Sequence, residues 1–448
     1  MLPLPRVALG TVQPEAEVEF VSWALMELLS RRGCQVQHFT ARCCLTAIPG
    51  AITATGLGSR HLDSWLMTPE MCRELLARGM GESELAVVEG RYDAGRPPDC
   101  RGGSLDQLCQ WLDLPRLVVL DVRRLDSCQL PRRPTADGLF LDGIDGAADL
   151  SRWQTALESF WGVPVLGALE KLPRLRESLR GLPPGSNLPR ELCEQLGASL
   201  ERYSKPEAIR RLAARREFGP VSSTLFQSVG GRPPITVAVA YDEAFHCYFP
   251  DTLDLLELLG ASIIDFSPLH DESLPPETDL VYIGCGHPER FAAELADNHC
   301  MMLALRNHLC AGRRMYADGG GLAYLCQYLQ TSEGKWASMV GALPAIASLN
   351  PHRAPPRPVE LTIAQPSWLA DRDTPLRGYL NSTWYIEPNG QLNGYLAEAG
   401  HELDLVGRYQ AIASRLQVNF VTQPGFLRNF VEPAPAAMGT SPSRTVVS

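Results

Sequence analysis

Apolar residues along this chain follow two rhythms that alternate. Short runs rich in β-branched and aliphatic residues, at 7–10, 36–40, 85–90, 117–122, 138–144 and 164–169, read as buried strands. Between them lie stretches with helical spacing, such as 20–32 and 150–161. Strand and helix in alternation predict a mostly parallel sheet with helices on both faces. Residues 182–232 are helix-patterned, with a Pro/Gly-rich piece at 182–189. A second alternating unit then begins, with strands expected at 235–241, 262–266, 280–285 and 313–317. The pattern divides the chain into an α/β domain over 1–205, a linker over 206–234 hinged at the SVGGRPP of 228–234, and a second α/β domain over 235–431. The Pro/Ala/Ser-rich tail, 432–448, has the composition of disorder.

Composition narrows the function. Hydrophobic residues make up 45% and charged residues 21% of 448, a globular balance with room for two or three domains. The net charge is −10, and no basic concentration exists to displace counterions from phosphates, so no nucleic-acid partner is expected. No apolar run reaches about 18 residues, so no membrane span is expected either. The start, MLPLPRVALG, lacks the apolar stretch of a secretory signal. Thirteen scattered cysteines then read as reduced, buried thiols, and the expected compartment is the cytoplasm. Cys34, His38, Cys43 and Cys44 are the one grouping that invites a metal, but their spacing repeats no zinc pattern. No metal site is expected.

Eight segments, in order, resemble the cobyrinic acid a,c-diamide synthase family: GSRHLDSW (58–65), VVEGRYDAG (87–95), GVPVLGAL (162–169), YDEAFHCYFPD (241–251), FSPLHDESLP (266–275), YIGCGHPERFAAELADN (282–298), MYADGGGLAYL (315–325) and MVGALP (339–344). The resemblance implies two Rossmann-like domains. The first would be similar to dethiobiotin synthetase, binding ATP and Mg²⁺ to activate a carboxylate as an acyl phosphate. The second would be a flavodoxin-like class I glutaminase delivering ammonia from a Cys-His system.

Three departures from the family bear on that chemistry. A phosphate loop needs backbone N–H groups, a Lys for the charge and a hydroxyl for the metal. Here Pro14 and Ala16 stand at loop glycine positions, Glu17 at the lysine and Val18 at the hydroxyl, while Thr40, Cys44 and Ala47 replace a Lys and two Asp after the second strand. The family's Tyr-Ala-Glu-Cys-Gly-Gly-Leu turn has become residues 316–322, with Gly319 at the nucleophile and Asp318 at the Glu. Cys285 and Cys326 are the neighbouring thiols, and no matching motif positions either. The family's Val-His-Leu-His-Phe strand is matched by LQVNF, with Gln417 and Asn419 in place of two histidines; neither titrates near neutral pH. His352 and His401 lie nearby in sequence without a motif to place them. In addition, the family's Gly-His-Glu-Phe-His-Tyr stretch has become residues 378–383, which hold no histidine.

The expectation is therefore a catalytically silent homologue, with no catalytic residue and no nucleotide cofactor. It would bind a tetrapyrrole, or pair with an intact paralogue in a hetero- or homodimer. Retained positions near the family's substrate cleft and domain interface are Arg60, Asp63, Glu89, Asp93, Tyr248, Asp251 and Arg377. Arg60 and Arg377 are expected to grip propionate or acetate arms in bidentate fashion. The alternative is an active ATP-dependent amidoligase converting tetrapyrrole carboxylates to amides with ammonia or glutamine; a third reading is an assembly protein with no small ligand.

Overall fold

The computed structural model describes residues 4–45, 48–93, 101–125, 132–227, 235–352 and 354–432. The expected hinge at 228–234, the tail from 433 and Ala47 lie outside the described residues.

Strands β1 (Arg6–Thr11), β2 (Val36–Thr40), β3 (Arg60–His61), β4 (Leu85–Arg91), β5 (Arg116–Asp121), β6 (Gly138–Ile144) and β7 (Val165–Glu170) form one sheet in the order β3-β2-β4-β1-β5-β6-β7. Every pair is parallel. Helices cover both faces, so β1 and β6 are buried at every position and can afford no polar alternation. Helix α1 (Val18–Arg31) follows β1 and is buried nearly all round, wedged against helix Arg190–Arg202. Their seam hides Glu27, whose carboxylate is met by Arg190 at 2.5 Å.

In the second half, β8 (Ile235–Ala240), β10 (Ala261–Phe266), β11 (Leu280–Ile283) and β13 (Arg314–Asp318) lie in the order β10-β8-β11-β13, followed by Ala411–Ser414. These five are parallel, and Leu405–Arg408 and Asn393–Gly394 close the edge antiparallel. This is the flavodoxin-type order, in which ligands bind beyond the carboxyl ends of the strands. Two short strands lie beside it, β9 (Phe245–Cys247) and β12 (Cys285–Gly286), paired antiparallel. Residues 326–417 also build two small sheets that the apolar pattern did not announce. Their strands are short, and Tyr328, Trp336 and Tyr385 are exposed, so the alternation that signals a half-buried strand is inverted.

One apolar core runs from the first sheet into the second half, including Ala8, Leu62 and Leu105 with Tyr379, Val418 and Phe420. Ahead of the undescribed linker residues, Glu74 accepts the main-chain N–H groups of Thr224, Leu225 and Phe226 at 2.8–3.1 Å and anchors the segment.

Candidate functional site

The loop after β1 is closed by its own side chains. Gln13 bridges the main chain of Asp121: the Asp121 N–H donates to its Oε1 at 2.7 Å, and its Nε2 donates to the Asp121 carbonyl at 3.2 Å. Arg91, at the end of β4, donates to the carbonyls of Gln13, Pro14 and Ala16. A loop gripped by a cation through its carbonyls is the opposite of one that offers N–H groups to an anion.

Charge around Glu17 is already balanced. Arg180 donates to its two oxygens at 2.5 and 2.8 Å, and Arg176 to one at 3.0 Å. Arg176 is 1% exposed and also pairs with Asp142, which is fully buried. Arg123 holds Asp121 at 2.7 and 2.8 Å, while Arg124 bonds Asp121 and Glu15. Four carboxylates thus face four guanidiniums. Burial opposes ionisation of Glu17, yet Arg180 and Arg176 outweigh it and hold the carboxyl below its usual range. A triphosphate here would meet no lysine, and Arg176 and Arg180 are already engaged by Glu17. Val18 carries no oxygen for Mg²⁺. These residues do not fit ATP·Mg²⁺.

The second region lies at the end of β13. Gly319 adopts φ 51° and ψ −110° and turns the chain into helix Gly320–Leu325. The strained strand-to-helix elbow is present; the side chain is not. A Cβ on Gly319 would lie 2.6 Å from the Cys285 sulfur, and one on Gly320 would lie 2.5 Å from the Gly286 carbonyl oxygen. The loop opposite therefore presses against the elbow, and the Cys285 thiol fills the space a nucleophile would use.

That thiol is poorly disposed to attack. Burial and then the neighbouring Asp318 charge push it well above its ordinary range, while the Gln417 side chain works the other way. Asp318 accepts the Tyr282 hydroxyl at 3.2 Å, and burial pushes its carboxyl up to about 7. Tyr248 braces the same loop, accepting the Gly284 N–H at 2.9 Å and donating to the Ala240 carbonyl.

Positions that are histidine in the resembling family now tie the two halves together. Gln417 Oε1 accepts the Leu45 N–H at 3.2 Å. Asn419 Nδ2 donates to the Cys43 sulfur at 3.4 Å, and its Oδ1 accepts the Val421 N–H at 3.1 Å. The Tyr379 hydroxyl donates to Asp63 at 2.7 Å and accepts the Gly103 N–H at 2.8 Å. Asp63 also accepts the N–H groups of Cys43, Trp65 and Leu66. It shapes a turn rather than facing a ligand.

The remaining candidates have internal partners. Arg60 pairs with Asp251 and, at 2.9 Å, with Asp254, a cross-domain ion pair in which burial still pushes the Asp251 carboxyl up to about 6. Arg377 stands apart on the surface, held by Glu360 at 2.7 Å. Each of these two guanidiniums, expected to grip carboxylate arms, holds a carboxylate of the chain itself. Glu89 meets His38 at 3.2 Å, and Asp93 accepts Ser104 at 2.5 Å. The cysteine cluster disperses: Cys34 lies in the core beneath α1, its thiol pushed up to about 11 by burial. No group able to hold a metal occurs among the described residues.

Tyr248, one of the positions expected near the substrate cleft, lines a cavity of about 760 Å³ between the halves, whose wall also includes Ile52, His61, Asn187, Tyr241, His246 and Cys247, residues that sequence reasoning did not single out. Burial pushes His61 down to about 3, so its ring is neutral. Asp242, Glu243 and Arg290 are the formal charges on the wall. The walls come from segments far apart in sequence, and among them the stretches 58–65 and 241–251 carried the signal, through their resemblance to the family.

Fold and elbow together define a glutamine amidotransferase-type architecture, and the family described as a CobB/CobQ-like glutamine amidotransferase domain matches residues 236–379. The chain is 30% identical to cobyrinate a,c-diamide synthase of Syntrophotalea carbinolica, over 76% of this chain and 77% of that protein. It is 31% identical to the protein of that name from Methanosarcina barkeri, over 76% and 77%, and 28% identical to that of Salmonella typhimurium, over 92% and 95%. The chain belongs to the cobyrinate a,c-diamide synthase family. No helix among the described residues is long and apolar enough to cross a membrane.

Proposed function

We propose that this chain is a catalytically silent member of its family that acts by binding, taking a tetrapyrrole into the cleft between its halves or engaging an intact paralogue. The observation that carries the reading is the elbow: its turn persists, but the volume above Gly319 belongs to the Cys285 sulfur. A thioester with glutamine needs an exposed thiolate and a base. Here the thiol is buried, and the positions of the bases hold amides that bond across the domain interface. The balanced charge around Glu17 supports the same reading for the ATP half-reaction.

Calorimetry with ATP·Mg²⁺ and a glutaminase assay on the pure chain test the silent part. The expected result is no heat of nucleotide binding and no glutamate release. ADP release driven by a corrinoid acid, with either ammonia or glutamine present, would instead establish an active amidoligase. A visible-band shift on adding a corrinoid or sirohaem-type ligand tests the binding part. With no shift and no complex with an intact paralogue, binding is ruled out and a purely architectural role remains.

A further inference from the structure

Strands β9 and β12 place Cys247 directly opposite Cys285 in an antiparallel pair. Residues so placed share a face, with Cα atoms roughly 4.5–5.5 Å apart. A disulfide spans about 4.4–6.8 Å between Cα atoms. Both cysteines are free thiols. Cys247 is half-buried and lines the cleft, whereas Cys285 is buried behind it at the elbow. One thiol is thus reached from the cleft, and its strand partner waits behind it.

We propose that Cys247 and Cys285 form a modification site, a dithiol that a peroxide entering the cleft converts to a disulfide. In the first step the Cys247 sulfur attacks one peroxide oxygen; the O–O bond breaks, Cys247 becomes a sulfenic acid and water leaves. In the second, the Cys285 sulfur attacks the Cys247 sulfur, the S–O bond breaks, and the departing hydroxide takes up the Cys285 proton as a second water. Two thiols lose two electrons, and one peroxide gains them. Asp318 lies beside Cys285, placed to relay that proton. The product would tie the cleft wall to the elbow. Nothing in this step uses nucleotide or glutamine, so it stands apart from the question of catalysis.

Thiolates are the reactive species, and burial pushes the Cys247 thiol up to about 12 and Cys285 well above its ordinary range. Oxidation is accordingly slow near neutrality and accelerates as pH rises. The test exposes the full chain to hydrogen peroxide at neutral and alkaline pH, then unfolds, alkylates and digests it without reductant. A linked peptide pair joining 247 to 285, lighter by two hydrogens, faster to form at alkaline pH and reversed by dithiothreitol, is the expected result. Cys247→Ser should leave Cys285 fully alkylated. The proposal fails if Cys247 ends as a sulfenic or sulfinic acid while Cys285 alkylates. It fails equally if both alkylate while exposed Cys300 and Cys310 react. Because the linked peptide is read on the unaltered chain, poor folding of the variant would not rescue it.

Discussion

The loop after β1 and the elbow after β13 each lack the residue types of the family pattern they resemble, and each is filled in a different way. Around Glu17 the vacancy was taken by charge: Arg176 and Arg180 reach in from a helix ~160 residues away, and Arg91 binds the loop carbonyls. At Gly319 it was taken by volume, a sulfur from the facing loop, while the backbone kept its left-handed turn. A polyanion site relieved of its ligand leaves unsatisfied fields, which only counter-charges can quiet. A nucleophile's site relieved of its side chain leaves only a hole, which packing closes.

Five substitutions probe this contrast, in descending order of expected effect. Arg176→Met strands Asp142 without its buried partner and should lower unfolding stability in urea by about 3–5 kcal/mol. A loss below ~1 kcal/mol would show that charge is not what holds the loop. Gly319→Cys sets a side chain against the Cys285 sulfur in a left-handed conformation and should cost about 2–4 kcal/mol. Adding Cys285→Gly should recover much of that loss without creating glutaminase activity, because Gln417 and Asn419 supply no base. Glutamate release by the double variant would refute the packing account.

Asp318→Asn tests the elbow's buried carboxyl. Its folded value of about 7 lies above the ordinary 3.8, so the native state holds its proton more tightly than the unfolded chain. Stability from this group is full at low pH and declines as pH rises from about 4 to 7, by up to ~1.4 kcal/mol per unit. The Asn variant should flatten that slope in pH-dependent denaturation. Glu17, held below its usual range, acts in the reverse sense and weakens the loop only in acid. Smallest is Arg180→Ala: more than half exposed, it should cost below about 1 kcal/mol, and less in high salt.

Much of the architecture was legible because parallel strands buried on both faces carry apolar runs, as in 85–88 and 138–141. The two-residue β3 and the sheets within 326–417 were not, being too short or too exposed to impose a period. At the sites, the departures could be read at Glu17, Gly319 and Gln417 because residue type alone sets them apart from the family pattern. Their new partners could not. Gln417 meets Leu45 across 372 positions, and nothing in the sequence near either residue announces the other. Arg60 shows the same limit: its partners Asp251 and Asp254 lie far along the chain and could not be read from the sequence around it.

The ties made by Gln417, Asn419 and Tyr379 have a thermodynamic corollary. Since each joins the amino-terminal half to the carboxyl-terminal half across a shared oily interior, neither half owns a complete boundary with water. Heating should dissolve both in a single calorimetric transition, and a protease nick in the connecting segment should leave two fragments that stay bound to one another.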